Sequence, residues 1–141
     1  MDINYYNFIL TSILFVITDF SWITLNYDYY KTLCLKIQKE PFVVKIPPII
    51  ITYIALIIAL YLYIKLLSYE IKNNNSNKNN INKYLISIFY GFLFGFTVYG
   101  TYSYTCCTYY KNYKYYDAFK DTLWGIVLFI ISGLFYSYLS F

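Results

Sequence analysis

Four apolar stretches in this chain are each long enough to cross a membrane as a helix. They lie at about residues 6–26, 47–68, 84–106 and 119–141. A bilayer core needs roughly 20 consecutive apolar residues in a helix that spans it. The composition agrees, because 60% of the residues are apolar and only 13% are charged, which is unlike a soluble globule. The sequence therefore predicts an all-α integral membrane bundle of four transmembrane helices, which form a single membrane domain over residues 1–141.

Local signals set the expected ends of these helices. Pro47 and Pro48 open the second stretch, and proline suits the start of a helix because its missing N–H would be unpaired there. The segment EIKNNNSNKNNINK has no apolar period and predicts a solvated polar loop over residues 70–83. The first stretch could be a cleaved signal peptide. However, it has no preceding Lys and no small-residue cleavage pattern, which favours a retained helix.

The residue types present exclude several classes of protein. The chain has no His and no Arg, and its cysteines, Cys34, Cys106 and Cys107, lack the CxxC spacing of a zinc site. We therefore predict no metal site, and the sequence identifies no cofactor. The net charge of +4 is spread over loops, so no nucleic-acid surface is expected. Heavy use of Lys, Asn, Ile, Tyr and Phe is typical of an A+T-rich genome, such as that of some protists, endosymbionts and large DNA viruses.

The distribution of lysines predicts the orientation in the membrane. Seven lysines fall in the connections at residues 27–46 and 107–120, which four spans place on the same side. Four lysines belong to the opposite side. Because cytoplasmic loops are enriched in Lys and Arg, both termini are predicted to be non-cytoplasmic. The seven are Lys31, Lys36, Lys39, Lys45, Lys111, Lys114 and Lys120, and the four are Lys65, Lys72, Lys78 and Lys83.

A stripe of small residues indicates helix packing. Ser87, Gly91 and Gly95 recur every four residues on one face of the third helix, and Gly125 lies on the fourth. Small residues let membrane helices approach closely. We predict contacts between helices at these positions, and the same stripe would serve a homo-oligomer.

Polar and aromatic residues gather at one depth of the predicted bundle. Asp19 and Trp22 lie in the last third of the first helix, while Asp121 and Trp124 open the fourth. The segment VYGTYSYTCCTYY, residues 98–110, ends the third helix on the same side. Spacings of three and four place each Asp–Trp pair on one helix face. The topology therefore predicts a polar pocket where three faces meet.

Asp19 is the strongest functional indication in the sequence. A carboxylate within the bilayer costs on the order of 3 kcal/mol, so it is expected to face inward with a partner. It is either a solute or proton site, or a hydrogen-bonded acid that fixes helix register through Thr or Tyr hydroxyls. Asp121 is either part of the same site or a helix-start acid. Tyr113, Tyr115 and Tyr116 are expected to anchor the last loop at the interface.

The sequence resembles a family of small bacterial and viral membrane proteins, DUF2177, over nearly the whole chain. The resemblance lies in TDFSW, VYGTYSYT and DTLWG, and it implies four spans and a shared site without an assigned activity. The chain departs from the family pattern at Ser103 and Cys106, where an acid and an Asn are common, and Tyr113 replaces a loop Trp. These changes argue against chemistry that needs a third carboxylate. The matching residues are Asp19, Trp22, Tyr99, Gly100, Thr101, Tyr102, Thr105, Asp121, Trp124 and Gly125.

Three functions are compatible with these features. The first is binding or transport of a small solute or proton at the intramembrane Asp, Tyr and Thr groups. The second is an intramembrane enzyme that modifies a lipid or isoprenoid, with Asp19 and Asp121 as acid and base. The third is a structural membrane component, for instance of a viral inner membrane. The sequence favours the first, names the lipid bilayer as a partner, and leaves open whether the protein is an enzyme.

Overall fold

The computed structural model describes residues 3–76 and 82–141, and every regular element in this part of the chain is helical. Four helical stretches are long and apolar enough to cross a membrane, which confirms the predicted all-α membrane bundle. The helices are α1 (Tyr5–Leu25), α2 (Tyr27–Gln38), α3 (Ile46–Ser76), α4 (Lys83–Gly95), α5 (Thr101–Tyr109) and α6 (Tyr115–Ser140), and a π-helical segment, Phe96–Gly100, joins α4 to α5.

Helix α3 is longer than the sequence analysis predicted. It continues through the first part of the expected polar loop as far as Ser76, and residues 77–81 lie outside the described residues. Nothing between Glu70 and Ser76 breaks a helix, because this segment has neither Gly nor Pro. Ile71 is also fully buried in the main core, so the extension is held by packing on the bundle.

Helix α2 was not predicted, since the search for spans treated residues 27–46 as a loop. Its twelve residues are too few to cross a bilayer, and only Asn26 separates it from α1. Leu33 is buried, whereas Lys31 and Lys36 are exposed. This amphipathic pattern is typical of a helix that lies along the membrane interface, here at the lysine-rich end of the bundle.

The π-helical segment changes which residues of the third span face the bundle. Buried small residues step by four along α4 as far as Gly95, and the next buried residue of this series is Gly100, followed by Ser103. The step of five is the extra residue that a π-helical turn accommodates. It turns Tyr99 inward, whereas Tyr102 points outward and is 68% exposed.

The predicted small-residue stripe packs against α6 within the same chain. A Cβ added to Gly95 would lie 2.4 Å from Ile126 Cα, and one added to Gly91 would also meet α6 backbone at 2.8 Å. The hydroxyls of Ser87 and Ser137 lie 2.7 Å apart. This contact buries the stripe within the chain.

The apolar core fixes α1, α3 and α6 on the side of the bundle that carries the termini. Phe15 and Phe129 pack edge to face at 5.3 Å, and Tyr63 packs on Phe129 at 5.8 Å. A Cβ added to Gly133 would lie 1.7 Å from the Tyr63 hydroxyl, so only glycine fits there. The polar residues of the opposite end are positioned by this rigid packing.

Candidate functional site

Asp19 is the centre of a hydrogen-bonded cluster to which three other segments contribute. Its side chain is only 5% exposed. The Tyr53 hydroxyl of α3 donates to Oδ2 at 3.2 Å. The Tyr99 hydroxyl of the π segment and the Trp124 indole N–H of α6 donate to Oδ1 at 3.1 and 3.0 Å. All three partners are neutral.

Asp19 lies inside a helix that is long and apolar enough to cross a membrane. Asp19 precedes the end of α1 at Leu25 by six residues, which places it about 9 Å inside the end of the helix at 1.5 Å per residue. Hydrogen bonds to a charged group are stronger than those between neutral groups, and a low dielectric strengthens them further. The three donors therefore offset part of the cost of a carboxylate at this depth.

The two oxygens of Asp19 differ in what they can accommodate. Oδ1 receives two donors, one of which is the Trp124 indole, and an indole N–H can only donate. Oδ2 receives one donor, the Tyr53 hydroxyl, which can donate or accept. A proton therefore fits on Oδ2, because rotation of the Tyr53 hydroxyl turns that group from donor to acceptor while the Oδ1 bonds persist.

Trp22 and Trp124 stack between the two acids. Their ring centroids are 4.4 Å apart and the planes differ by 5°. The Trp124 N–H is bound to Asp19, while the Trp22 N–H donates to the Tyr30 hydroxyl at 3.0 Å. The pair thus joins α1 to α6 and sends one N–H toward each carboxylate cluster.

Asp121 forms the second carboxylate cluster, nearer the lysine-rich end. Tyr30 donates to its Oδ1 at 2.8 Å and Tyr113 to its Oδ2 at 2.7 Å. Asp121 does not cap a helix, because α6 begins at Tyr115 rather than near residue 119. Asp117 takes that position instead and accepts from the Lys114 backbone N–H at 2.8 Å.

Helix α2 covers this second cluster. The Tyr29 hydroxyl donates to Asp117, next to the bond from Tyr30 to Asp121. The Lys120 ammonium lies 3.6 Å from the centroid of the Tyr29 ring and donates to Asn26 Oδ1 at 2.8 Å. Neighbouring residues of α2 are thus tied to two acids of α6, which fixes the interfacial helix over the site.

The phenols around Asp121 remain protonated donors at neutral pH. Burial raises the pKa of Tyr29, Tyr30 and Tyr113 above the ordinary value, and the charge of the aspartates and the bonds to them raise it further. The charge of Asp19 also contributes to the raised pKa of Tyr30. The Tyr30 phenol is therefore influenced by both carboxylates.

The structure brings together some of the predicted site residues and separates others. Asp19, Trp22, Tyr99, Asp121 and Trp124 form the two linked clusters. The hydroxyls of the 101–105 segment were predicted to belong to the polar site, but the bonds to Asp19 and Asp121 come from other residues. The π segment rotates them outward, and the residues left exposed are Thr101, Tyr102 and Thr105.

Two of the predicted site residues are glycines, and they shape the site through the space that they leave. A Cβ on Gly125 would lie 2.1 Å from the Tyr99 ring, so this glycine makes the space that lets Tyr99 reach Asp19. Gly100 is buried at the contact between the third span and α6, where a Cβ would lie 3.4 Å from Thr122 Cγ2. Gly125 is therefore the stricter requirement of the two.

The sequence analysis missed most of the tyrosines that hold the acids. Nothing in the sequence distinguishes Tyr53 from the many other tyrosines of the apolar stretches. The amphipathic pattern of α2 could have indicated Tyr30. Tyr113 was expected to anchor the loop at the interface but is 8% exposed and bonded to Asp121, whereas Tyr115 and Tyr116 are 79% and 68% exposed.

The described residues, 3–76 and 82–141, contain no group of three or more His, Cys, Asp or Glu side chains that could hold a metal ion. The acids at Asp19 and Asp121 are each held by hydroxyl or indole donors instead. What the site can do chemically is accept, hold and release protons, or bind a polar group that replaces one of these donors.

Comparison with known proteins agrees with the helical architecture. No curated protein and no solved structure matches the chain. The family described as predicted membrane protein DUF2177 matches residues 4–138, a range that contains both carboxylate clusters and nearly all of the four spans. The chain therefore belongs to the DUF2177 family of predicted membrane proteins.

Proposed function

We propose that this protein binds a proton at Asp19 within the membrane and uses it for proton-coupled binding or transport. One observation carries the proposal. Asp19 is 5% exposed, all of its hydrogen-bond partners are neutral, and one of them, Tyr53, can reverse its role when Oδ2 is protonated.

Opposing energies act on the charged form of Asp19. An intramembrane carboxylate costs on the order of 3 kcal/mol on insertion scales, whereas hydrogen bonds to a charged group return roughly 1.5–3 kcal/mol each. All three donors to Asp19 are neutral groups, and no cationic side chain is among its hydrogen-bond partners.

Tyr30 offers a link from Asp19 toward the lysine-rich end. Its hydroxyl is bonded to Asp121, and its pKa is influenced by the charge of Asp19. The stacked indoles of Trp22 and Trp124 cannot relay a proton, because an indole N–H donates only. A tyrosine hydroxyl both donates and accepts, so Tyr30 is suited to proton exchange with Asp121.

The lipid-modifying enzyme gains less support. An open apolar groove of about 460 Å³ lies on the outer surface of α1 and α3. It contains no acid or base that could act on a lipid held there. The groove is lined by Phe8, Ile9, Ser12, Ile13, Val16, Ile17 and Ile57.

A structural role for Asp19 is the second candidate. Its three bonds tie α1 to α3, to the π segment and to α6, which is what a residue that fixes helix register would do. In this case the acid keeps one protonation state over the accessible pH range, and its hydrogen bonds hold the bundle together.

Infrared spectroscopy of the protein in lipid separates these two functions. We expect a protonated-carboxyl C=O band that appears reversibly as the pH is lowered and that is absent in Asp19→Asn. The matched control is Asp28→Asn, which alters an exposed acid in the first turn of α2 and should retain the band. Liposomes with an entrapped pH indicator should take up protons with wild-type protein and not with Asp19→Asn.

Two results would overturn the proposal. The first is that wild-type protein lacks a titrating band that depends on Asp19. The second is that Asp19→Asn takes up protons at the wild-type rate. If the band is missing and Asp19→Asn also unfolds at a lower temperature than Asp28→Asn, the structural role is the better explanation.

A further inference from the structure

A second polar site lies between α5 and α6, next to the Asp121 cluster. Ser103 is 0% exposed and Thr122 is 5% exposed. Neither hydroxyl has a hydrogen-bond partner in the part of the chain that the structure describes. The large majority of buried side-chain polar groups are bonded, and exceptions commonly mark a bound water or ion. Other hydroxyls of these helices bond to the carbonyl one turn earlier, as Ser132 does with Leu128.

Both residues belong to the same contact between α5 and α6. A Cβ on Gly100 would lie 3.4 Å from Thr122 Cγ2, which sets the register of α5 on α6. Ser103 lies about one turn after Gly100 on the same buried face, and the antiparallel α6 presents Ala118 one turn before Thr122. Ser103 therefore lies opposite the interval from Ala118 to Thr122.

The site is continuous with the hydrogen bonds of Asp121. Burial raises the pKa of the Tyr113 phenol, the bond to Asp121 adds to this, and the Ser103 hydroxyl opposes it, so Ser103 lies close to that phenol. Tyr113 in turn donates to Asp121 Oδ2 at 2.7 Å, and Thr122 follows Asp121 in sequence. The hydroxyls, the phenol and the carboxylate therefore lie around one short stretch of the contact between α5 and α6.

We propose that a water molecule lies at this contact, bound by Ser103 Oγ and Thr122 Oγ1 and in reach of the Tyr113–Asp121 pair. A buried water needs two to four polar partners, and these groups supply them. Water both donates and accepts, so one molecule can satisfy both hydroxyls. Its role in passing protons to Asp121 from the lysine-rich end rests on the proposed function, whereas its binding does not.

A double-mutant cycle tests the shared water. Ser103→Ala and Thr122→Val are compared singly and together by reversible unfolding in lipid bicelles. If one water bridges both groups, each single change lowers stability. The double variant then loses less than the two losses combined, with a coupling of at least about twofold in the unfolding equilibrium constant. The matched control pairs Thr122→Val with Ser132→Ala, which removes a hydroxyl bonded to its own helix and should show no coupling.

Additive losses would overturn the proposal. Single variants that are at least as stable as the wild type would also overturn it, because removal of an unsatisfied hydroxyl is neutral or stabilising. A second measurement needs no variant. A high-resolution structure of the wild-type protein in lipid should show density within hydrogen-bond distance of Ser103 Oγ and Thr122 Oγ1. No density there, or density with the short distances and higher coordination of a metal cation, would contradict a water site. If coupling and density are found but Asp19 does not titrate, the proton function fails and the water site remains.

Discussion

Individual residues at this site differ sharply in what they contribute, even where the sequence makes them look alike. Tyr99 and Tyr102 are three positions apart in one motif. Tyr99 donates to Asp19, whereas Tyr102 is 68% exposed. The difference comes from one extra residue in the π segment and from the space above Gly125.

Tyr99→Phe should destabilise the bundle. The change removes one of three donors to the buried Asp19 carboxylate. One bond to a charged group is worth roughly 1.5–3 kcal/mol, so the free energy of unfolding should fall by about that amount. Reversible unfolding in lipid bicelles measures it.

Tyr102→Phe is the matched control for this prediction, since it removes a hydroxyl from the same helix but from its exposed face. Its free energy of unfolding should equal that of the wild type. Equal losses in both variants would mean that Tyr99 does not act on Asp19 through its hydroxyl.

Some of this site could be predicted from individual residues and some could not. An acid within an apolar stretch is costly, so Asp19 could be identified as inward-facing and partnered, and the Trp spacing indicated its face. Tyr53 could not be identified, because its role depends on where α3 lies against α1 and not on any local pattern. Tyr113 looked like an interfacial anchor, because its bond to Asp121 needs the fold of the loop.

At the scale of the elements, the π segment and helix α2 decide the shape of the site. The four-residue spacing of small residues predicted an uninterrupted α-helix, and that prediction holds only as far as Gly95. The interval from Gly95 to Gly100 is five residues, and this signal could have indicated a π turn. Helix α2 is amphipathic and short, so an analysis aimed at spans overlooked it.

Gly95→Ala should destabilise the bundle much more than Gly100→Ala. A Cβ on Gly95 would meet the α6 backbone at 2.4 Å, whereas one on Gly100 would lie 3.4 Å from a side-chain methyl. Overpacking against backbone costs about 1–3 kcal/mol or more. At Gly100 the gain in helix propensity, up to about 1 kcal/mol, offsets a mild contact. Reversible unfolding in bicelles measures both, and equal losses would show that α4 and α6 are not in close contact at Gly95.

Tyr30→Phe should loosen α2 from the bundle. The change removes the bond to Asp121 and leaves the Trp22 N–H without its acceptor. Because a bond to a charged group is worth roughly 1.5–3 kcal/mol, amide hydrogen exchange across residues 27–38 should accelerate about tenfold or more. Mass spectrometry of the exchanged protein in lipid gives this rate.

Tyr27→Phe is the control on the same helix, since this side chain is 47% exposed and its ring contact with Phe42 needs no hydroxyl. It should leave the exchange rate of α2 unchanged. Acceleration by both variants would indicate that α2 is held by its apolar face alone.

At the scale of the whole molecule, the number of spans and the bundle class could be read from the sequence because they depend on length and apolarity alone. The arrangement of the spans could not. Helix α6 has the largest buried share of the four spans. It contacts every carboxylate cluster, and its central place follows from small residues such as Gly125 and Gly133 that accept tyrosine rings.

The orientation of the whole bundle gives the last prediction, that both termini face away from the cytoplasm. Seven lysines lie at the end of the bundle that carries α2 and the last loop, whereas the described part of the chain has three at the other, Lys65, Lys72 and Lys83, and positive charge is retained on the cytoplasmic side. In cells, a membrane-impermeant maleimide should label Asn4→Cys, which is exposed near the N-terminus, and should not label Lys39→Cys, which is exposed just after α2. Both variants need a background without native cysteines, because Cys34 and Cys107 are partly accessible. Labelling of Lys39→Cys alone would reverse the orientation and place the Asp121 cluster on the outer face.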